Sequence, residues 1–136
     1  MAAAIVAELT PVLCVGETRA ERDQNETAEV VEAQIRAAYH ELEWPTDTEL
    51  IIAYEPVWAI GTNDPATPVD AQKNAKHISN LIKGIFPAIT PIILYGGSVK
   101  PENVEMFVAE PDVSGVLVGA ASTQLESWRA LAENIR

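Results

Sequence analysis

The chain has 136 residues and a net charge of −11, from 20 acidic and 9 basic side chains. This length fits one domain, and the negative charge argues against nucleic acid and anionic membrane surfaces as partners. The single cysteine, Cys14, excludes an intrachain disulfide and favours a reducing, cytoplasmic setting. Its apolar neighbours predict a buried, unreactive thiol. The apolar stretch 1–9 is too short to span a membrane and lacks the basic start of a signal peptide.

Taken in chain order, the predicted elements alternate between helix and strand. Residues 1–9 look like the tail of a helix. Four short apolar runs without strict alternation predict strands that are covered on both faces. They occupy residues 11–15, 50–54, 92–95 and 115–118.

Apolar residues three or four positions apart predict the intervening helices, each with one buried stripe. The stripes are Val31, Ile35, Ala38 and Leu42; then Ala71, Ala75, Ile78, Ile82 and Ile85; then Leu125, Trp128, Ala132 and Ile135. Pro101 is placed to begin a shorter helix that reaches Phe107.

This alternation implies parallel strand pairing through right-handed crossovers. The sequence therefore predicts an α/β fold of four parallel β/α units across residues 1–136, with no linker or repeat. The two outer strands would have unpaired edges, which invite pairing with another chain.

The strongest functional indication is the segment Ala-Tyr-Glu-Pro-Val-Trp-Ala-Ile-Gly-Thr at residues 53–62. Glu55 ends a predicted strand at the sheet edge where parallel folds bind ligands, and Pro56 restricts it to extended backbone. The apolar loop that follows is suited to close as a lid, exclude water and raise the basicity of Glu55. Glu55 is the predicted general base; the alternative is a solvated glutamate at a strand end.

This segment, together with Tyr-Gly-Gly-Ser-Val at residues 95–99, resembles the triosephosphate isomerase family. Leu-Cys-Val-Gly-Glu at residues 13–17 and Val-Gly-Ala-Ala-Ser at residues 118–122 also look like that family. The resemblance runs from about Ala3 to Ile135 but covers only the second half of the family's (β/α)8 TIM barrel. It implies a half barrel that starts in the helix preceding the fifth barrel strand.

The family's established chemistry implies that Glu55 moves a proton between two carbons beside a carbonyl, with neither cofactor nor metal. The substrates would be dihydroxyacetone phosphate and D-glyceraldehyde 3-phosphate, as in glycolysis and gluconeogenesis. By the same resemblance, Gly61, Ser98, Gly119 and Ala120 would bind the substrate phosphate, mostly through backbone N–H groups.

Two positions depart from the family pattern. Ala120 stands where a second glycine is usual, although alanine can still donate its N–H. Asn63-Asp64-Pro65 replaces the usual far hinge of the lid, and Pro65 stiffens it. Glu17 resembles a family residue that is more structural than catalytic.

The family's Asn-x-Lys pair and histidine electrophile lie on strands outside this half, and His40 and His77 fall on predicted helices. Because electrostatic stabilisation is usually the largest catalytic contribution, we expect the isolated chain to be inactive or nearly so. Its expected partners are a small phosphorylated triose and either an N-terminal half barrel or further copies joined through open strand edges. The alternatives are a non-catalytic phosphate-binding or oligomerisation module and, with less support, another sugar-phosphate enzyme on half of the same fold.

Overall fold

A computed structural model describes residues 1–45, 47–62 and 65–135. The predicted departure at Asn63 and Asp64 lies outside the described residues. None of the helices in these ranges is long and apolar enough to cross a membrane.

Helices and strands alternate along the chain, as predicted. The strands are β1 Val12–Val15, β2 Ile51–Tyr54, β3 Ile92–Tyr95 and β4 Gly115–Val116. The helices are α1 Ala2–Val6, α2 Arg19–Asp23, α3 Thr27–Ala38, α4 Pro68–Ile85, α5 Val104–Val108 and α6 Leu125–Asn134. Two 3₁₀ turns, Val57–Ala59 and Ala120–Thr123, follow β2 and β4.

The four strands form one parallel sheet in the order β1-β2-β3-β4. Val15 pairs with Tyr54, which pairs with Tyr95, which pairs with Val116, so the strands end together at one edge. Across the described ranges, β1 and β4 each pair on one side only. The predictions of parallel β/α units and of two open strand edges are confirmed.

The two faces of the sheet differ in burial because side chains alternate along each strand. Ile52, Tyr54 and Ile93 are buried in the core beneath the helices. On the opposite face Val12 is 43% exposed and Cys14 is also exposed. The prediction of a buried Cys14 was wrong, because no described residue covers that side of β1.

Three helix predictions needed correction. The first stripe was extended too far, since α3 ends at Ala38 and Leu42 packs on the core from the following loop. Helix α5 starts at Val104 rather than at Pro101. Asn103 accounts for the late start, since its Oδ1 accepts from the Lys100 N–H (2.8 Å) and its Nδ2 donates to the Ser98 carbonyl (3.0 Å). These local bonds favour a turn over a helix.

The apolar stripe of α6 was placed on the wrong residues. Leu131 is the buried residue of that helix, whereas Leu125, Trp128 and Ile135 are 66%, 48% and 45% exposed. Trp128 and Ile135 lie beside β4, along whose open edge no further described strand packs.

Candidate active site

Glu55 lies directly after β2, at the edge where all four strands end. Its N–H donates to the Val15 carbonyl (2.7 Å), so the ladder between β1 and β2 continues through it. A side chain on Gly16 would collide with the Glu55 carbonyl group, so the close approach of the two backbones requires glycine there. The base candidate is therefore fixed through its own backbone.

The Glu55 side chain lies over Gly96 and beside Cys14. A methyl group at Gly96 would stand 2.6 Å from Cγ and 2.9 Å from Oε1 of Glu55, so glycine leaves room for the carboxylate. The Cys14 side chain lies beside the same carboxylate. Cys14 is exposed but partly shielded from water; this partial burial, followed by the charge of Glu55, raises the pKa of its thiol, so the thiol stays protonated and can donate to Glu55.

The lid, residues 57–62, packs its centre inwards. Trp58 and Ala59 are buried, whereas Val57 and Ile60 are about half exposed. Gly61 adopts φ +65°, a left-handed conformation that suits glycine. The lid therefore combines a fixed tryptophan with exposed apolar side chains.

A buried carboxylate holds the lid tryptophan. Glu17 is 1% exposed and accepts a hydrogen bond from Trp58 Nε1 at 2.8 Å and from the Tyr54 hydroxyl at 3.1 Å. The Tyr54 hydroxyl in turn accepts from Asn74 Nδ2 at 3.1 Å. Burial and then the charge of Glu17 raise the pKa of Tyr54, which keeps its hydroxyl a donor. Glu17 is thus a structural anchor at the base of the lid.

The predicted phosphate-binding residues lie on three loops after β2, β3 and β4. Ser98 Oγ donates to the Thr62 carbonyl at 3.1 Å, which joins the lid beside Gly61 to the loop after β3. Gly119 and Ala120 follow the neighbouring strand β4, where Ala120 begins a 3₁₀ turn; the last helix starts only at Leu125. The Ser122 hydroxyl bonds to the Gly119 carbonyl (2.8 Å) and stabilises this turn.

The backbone N–H groups of these four residues share one property. In the part of the chain that the structure describes, those of Gly61, Ser98, Gly119 and Ala120 have no hydrogen-bond partner. Within residues 1–45, 47–62 and 65–135, no hydrogen bond joins Gly119 or Ala120 to the other two loops. The loops therefore present free donors at one sheet edge, and their phosphate contacts stay a prediction.

The sequence reasoning missed the contacts that orient Glu55. Gly96 and Cys14 both touch it, although neither was predicted as a site residue. The alternation of side chains along a strand could have predicted the contact with Cys14. Cys14 pairs with Ala53, and Ala53 and Glu55 lie two positions apart, so all three side chains are on the same face of the sheet. Among residues 1–45, 47–62 and 65–135, no three His, Cys, Asp or Glu side chains converge as a metal site.

Comparison with known proteins decides the family. A family model described as triosephosphate isomerase matches residues 1–135. The chain belongs to the triosephosphate isomerase family. The four parallel strands alternating with helices are accordingly a partial TIM barrel.

Individual family members agree with this assignment. The chain is 48% identical over 129 residues to the triosephosphate isomerase of Roseiflexus castenholzii (strain DSM 13941 / HLO8). It is 44% identical over 132 residues to that of Trichlorobacter lovleyi (strain ATCC BAA-1151 / DSM 17278 / SZ) and 46% over 126 residues to that of Moorella thermoacetica (strain ATCC 39073 / JCM 9320). The alignments cover 93%, 95% and 91% of this chain but 51%, 53% and 51% of the relatives. The chain thus spans about half the length of these triosephosphate isomerases.

Proposed function

We propose that this chain supplies the base, the lid and the phosphate-binding loops for interconverting dihydroxyacetone phosphate and D-glyceraldehyde 3-phosphate. The observation that carries the proposal is the position of the Glu55 carboxylate, over Gly96 and beside the lid. A carboxylate on a parallel strand end, next to a loop that can exclude water, is placed to act as a general base.

The reaction needs only proton transfers. Glu55 would take a proton from the carbon beside the substrate carbonyl, which forms an enediolate, and return it to the former carbonyl carbon. The hydroxyl proton of the first carbon passes to the oxygen of the second, so the hydroxyl and the carbonyl exchange places. The oxidation of one carbon balances the reduction of the other within the substrate. A thiol at Cys14 would donate to the carboxylate and hold its orientation between the two transfers.

Substrate phosphate would bind to the free backbone donors of Gly61, Ser98, Gly119 and Ala120. Backbone N–H groups can neutralise an anion without a basic side chain. Such donors suit a chain whose net charge of −11 would otherwise oppose an anionic substrate.

We place residues 1–136 as the C-terminal half of the barrel, beginning in the helix before the fifth barrel strand. The enediolate then requires an electrophile from another segment, so the isolated chain is inactive or nearly so. An N-terminal half barrel would pair with the open edges of β1 and β4; further copies of this chain are the other candidate occupants.

The single, exposed Cys14 thiol supports a reducing, cytoplasmic location.

The decisive experiment is complementation. The chain is mixed with the segment of the Roseiflexus castenholzii isomerase that lies outside the alignment, and isomerisation is measured for each part and for the mixture. We expect turnover only in the mixture. Glu55→Gln should lower kcat by about 10²–10⁴-fold, whereas Glu49→Gln, an exposed glutamate just before β2, should leave it unchanged.

Other results would contradict the proposal or favour the second candidate. Equal activity of the two variants would remove Glu55 as the base. The second candidate is a non-catalytic phosphate-binding or oligomerisation module, favoured by the free donors and open edges. It is supported if phosphate binds, the segments associate and no isomerisation follows.

A further inference from the structure

A separate cavity lies on the helix-covered side of the sheet, behind the base of the lid. Its volume is about 310 Å³, and its walls come from α2, α3, α4 and the end of β2. This is within the size range of small-molecule sites. Glu55 and the predicted phosphate-binding residues do not line it, and all of its walls belong to this chain.

The acidic groups of this cavity are already occupied by partners. Glu17 accepts from Trp58 and Tyr54. Asp70 accepts from the Thr67 backbone and hydroxyl and pairs with Arg22 at 3.4 Å. The carboxylate oxygens in the cavity wall therefore already have hydrogen-bond donors within this chain.

Among the donors of the same cavity, Arg22, Tyr54 and Asn74 have partners, but others do not. Lys73 is exposed and has no ion pair within the described ranges, and the Asn25 side chain has no hydrogen bond there. Thr27 and Ala28 line the cavity at the start of α3, where Glu26 makes no side-chain capping bond. Their N–H groups are free in those ranges and carry partial positive charge.

Two other lining groups are a histidine nitrogen without a partner in the described part of the chain and a paired arginine. His77 lines the cavity, and its Nε2 is a buried atom without a partner among the described residues. Arg22 also lines the cavity, but its charge is paired with Asp70, which leaves Lys73 as the unpaired cation of the lining within the described ranges. Because the unused donors are the Lys73 ammonium, the Asn25 amide and the N–H groups at the start of α3, a complementary ligand must supply acceptor oxygens.

We propose that this cavity binds a small molecule through a phosphate or carboxylate group, held by Lys73, Asn25 and the start of α3. The proposal does not depend on the isomerase assignment, since the site lies outside the Glu55 region. It does connect to the lid: Glu17 and Tyr54 form its inner wall, and the Arg22 guanidinium lies 3.7 Å from the ring centre of Trp58. Binding should therefore change the surroundings of the Trp58 indole.

The test is a titration of the ¹⁵N-labelled chain, followed by ¹H–¹⁵N correlation spectra. Inorganic phosphate and succinate are added in separate experiments, which distinguishes the two kinds of oxyanion. We expect one or both to shift the amides of Asn25, Ala28 and Lys73, together with the Trp58 indole N–H.

Two variants test the assignment of the shifts. Lys73→Gln should weaken binding about tenfold, the effect of losing one charge-assisted hydrogen bond. Lys76→Gln makes the same charge change on the same helix, at an exposed residue outside the cavity, and should leave affinity unchanged. If Lys73→Gln disturbs the spectrum of the free chain, Asn25→Gly replaces it. Glycine keeps the φ of 60° at that position while it removes the side-chain donor.

Three results would overturn the proposal. One is the absence of shifts with both anions. Another is a set of shifts confined to Gly61, Ser98 and Gly119, which would place binding in the isomerase site alone. The third is equal weakening by Lys73→Gln and Lys76→Gln, which would indicate diffuse attraction to positive charge.

Discussion

At the scale of single residues, the position of Glu55 depends on two glycines and one small side chain. Gly96 leaves space beneath the carboxylate, Gly16 admits the Glu55 backbone, and Cys14 lies beside its side chain. The base is thus positioned by steric room as much as by hydrogen bonds. Catalytic geometry of this kind is sensitive to displacement of about 1 Å.

Gly96→Ala should therefore damage catalysis. Its new methyl group would stand 2.6 Å from Glu55 Cγ, so the carboxylate must move. In the complemented enzyme we expect kcat/KM to fall by roughly 10²-fold, measured by steady-state isomerisation. Gly84→Ala is the matched control, because a methyl group at Gly84 meets nothing within 4 Å. Within α4 it should stabilise by about 0.5–1 kcal/mol and leave the rate unchanged; similar rate losses in both variants would refute the steric argument.

The sequence was sufficient to predict Glu55 as the base candidate but not its surroundings. A strand end, a proline and an apolar loop with glycine are all local features of residues 50–61. The contact with Gly96 joins residues 41 positions apart, and it depends on parallel register that only the assembled sheet fixes. Cys14 was misplaced for a related reason, since an apolar run does not show which face of its strand will be covered.

At the scale of elements, the first residue of a helix can be predicted from nearby capping residues, whereas its buried face cannot be predicted as well from apolar spacing. Thr18 with Glu21 and Thr67 with Asp70 form capping boxes that begin α2 and α4. The first of these was readable as Thr-x-x-Glu, yet α2 was not predicted. The stripe of α6 failed because burial depends on which neighbour is present, and periodicity alone carries no information about neighbours.

Tyr54 and Tyr95 are paired across neighbouring strands. Comparing them gives the contribution of the hydrogen bonds around Glu17, at the base of the lid, to the stability of the fold. Both rings are buried, but Tyr54 bonds to Glu17 and Asn74, whereas the Tyr95 hydroxyl has no partner at hydrogen-bond geometry among the described residues. Burial raises the pKa of Tyr95 to about 12, so its hydroxyl stays neutral.

Tyr54→Phe should lower the free energy of unfolding by about 1–3 kcal/mol, because it leaves the buried Glu17 and Asn74 each short of one partner. Tyr95→Phe should change it by less than about 0.5 kcal/mol, since no hydrogen bond is lost. Urea unfolding followed by circular dichroism measures both. Equal destabilisation would mean that the rings, rather than the Tyr54 hydroxyl, account for the effect.

At the scale of the whole molecule, the predicted partial barrel leaves apolar surface at both ends of the sheet. Val12 is exposed on β1 at one end, and Trp128 and Ile135 are exposed beside β4 at the other. A hollow of about 430 Å³ beside β4 is lined by Val116, Trp128, Leu131 and other apolar residues. The repeated strand–helix pattern predicted the open edges, but the distribution of exposed side chains required the packed structure.

This hollow leads to the last prediction, on association with a complementary half barrel. If that half covers the β4 edge, Trp128 becomes buried on binding, and Trp128→Gln should cost about 2 kcal/mol, or roughly thirtyfold in Kd. Val69→Gln is the control, because Val69 is 72% exposed on α4 and lies outside the hollow. Isothermal titration against the unmatched segment of the Roseiflexus castenholzii isomerase measures both affinities. If Trp128→Gln leaves that Kd unchanged but abolishes self-association in sedimentation, the hollow is an interface between copies of this chain, and the complementary half must bind elsewhere.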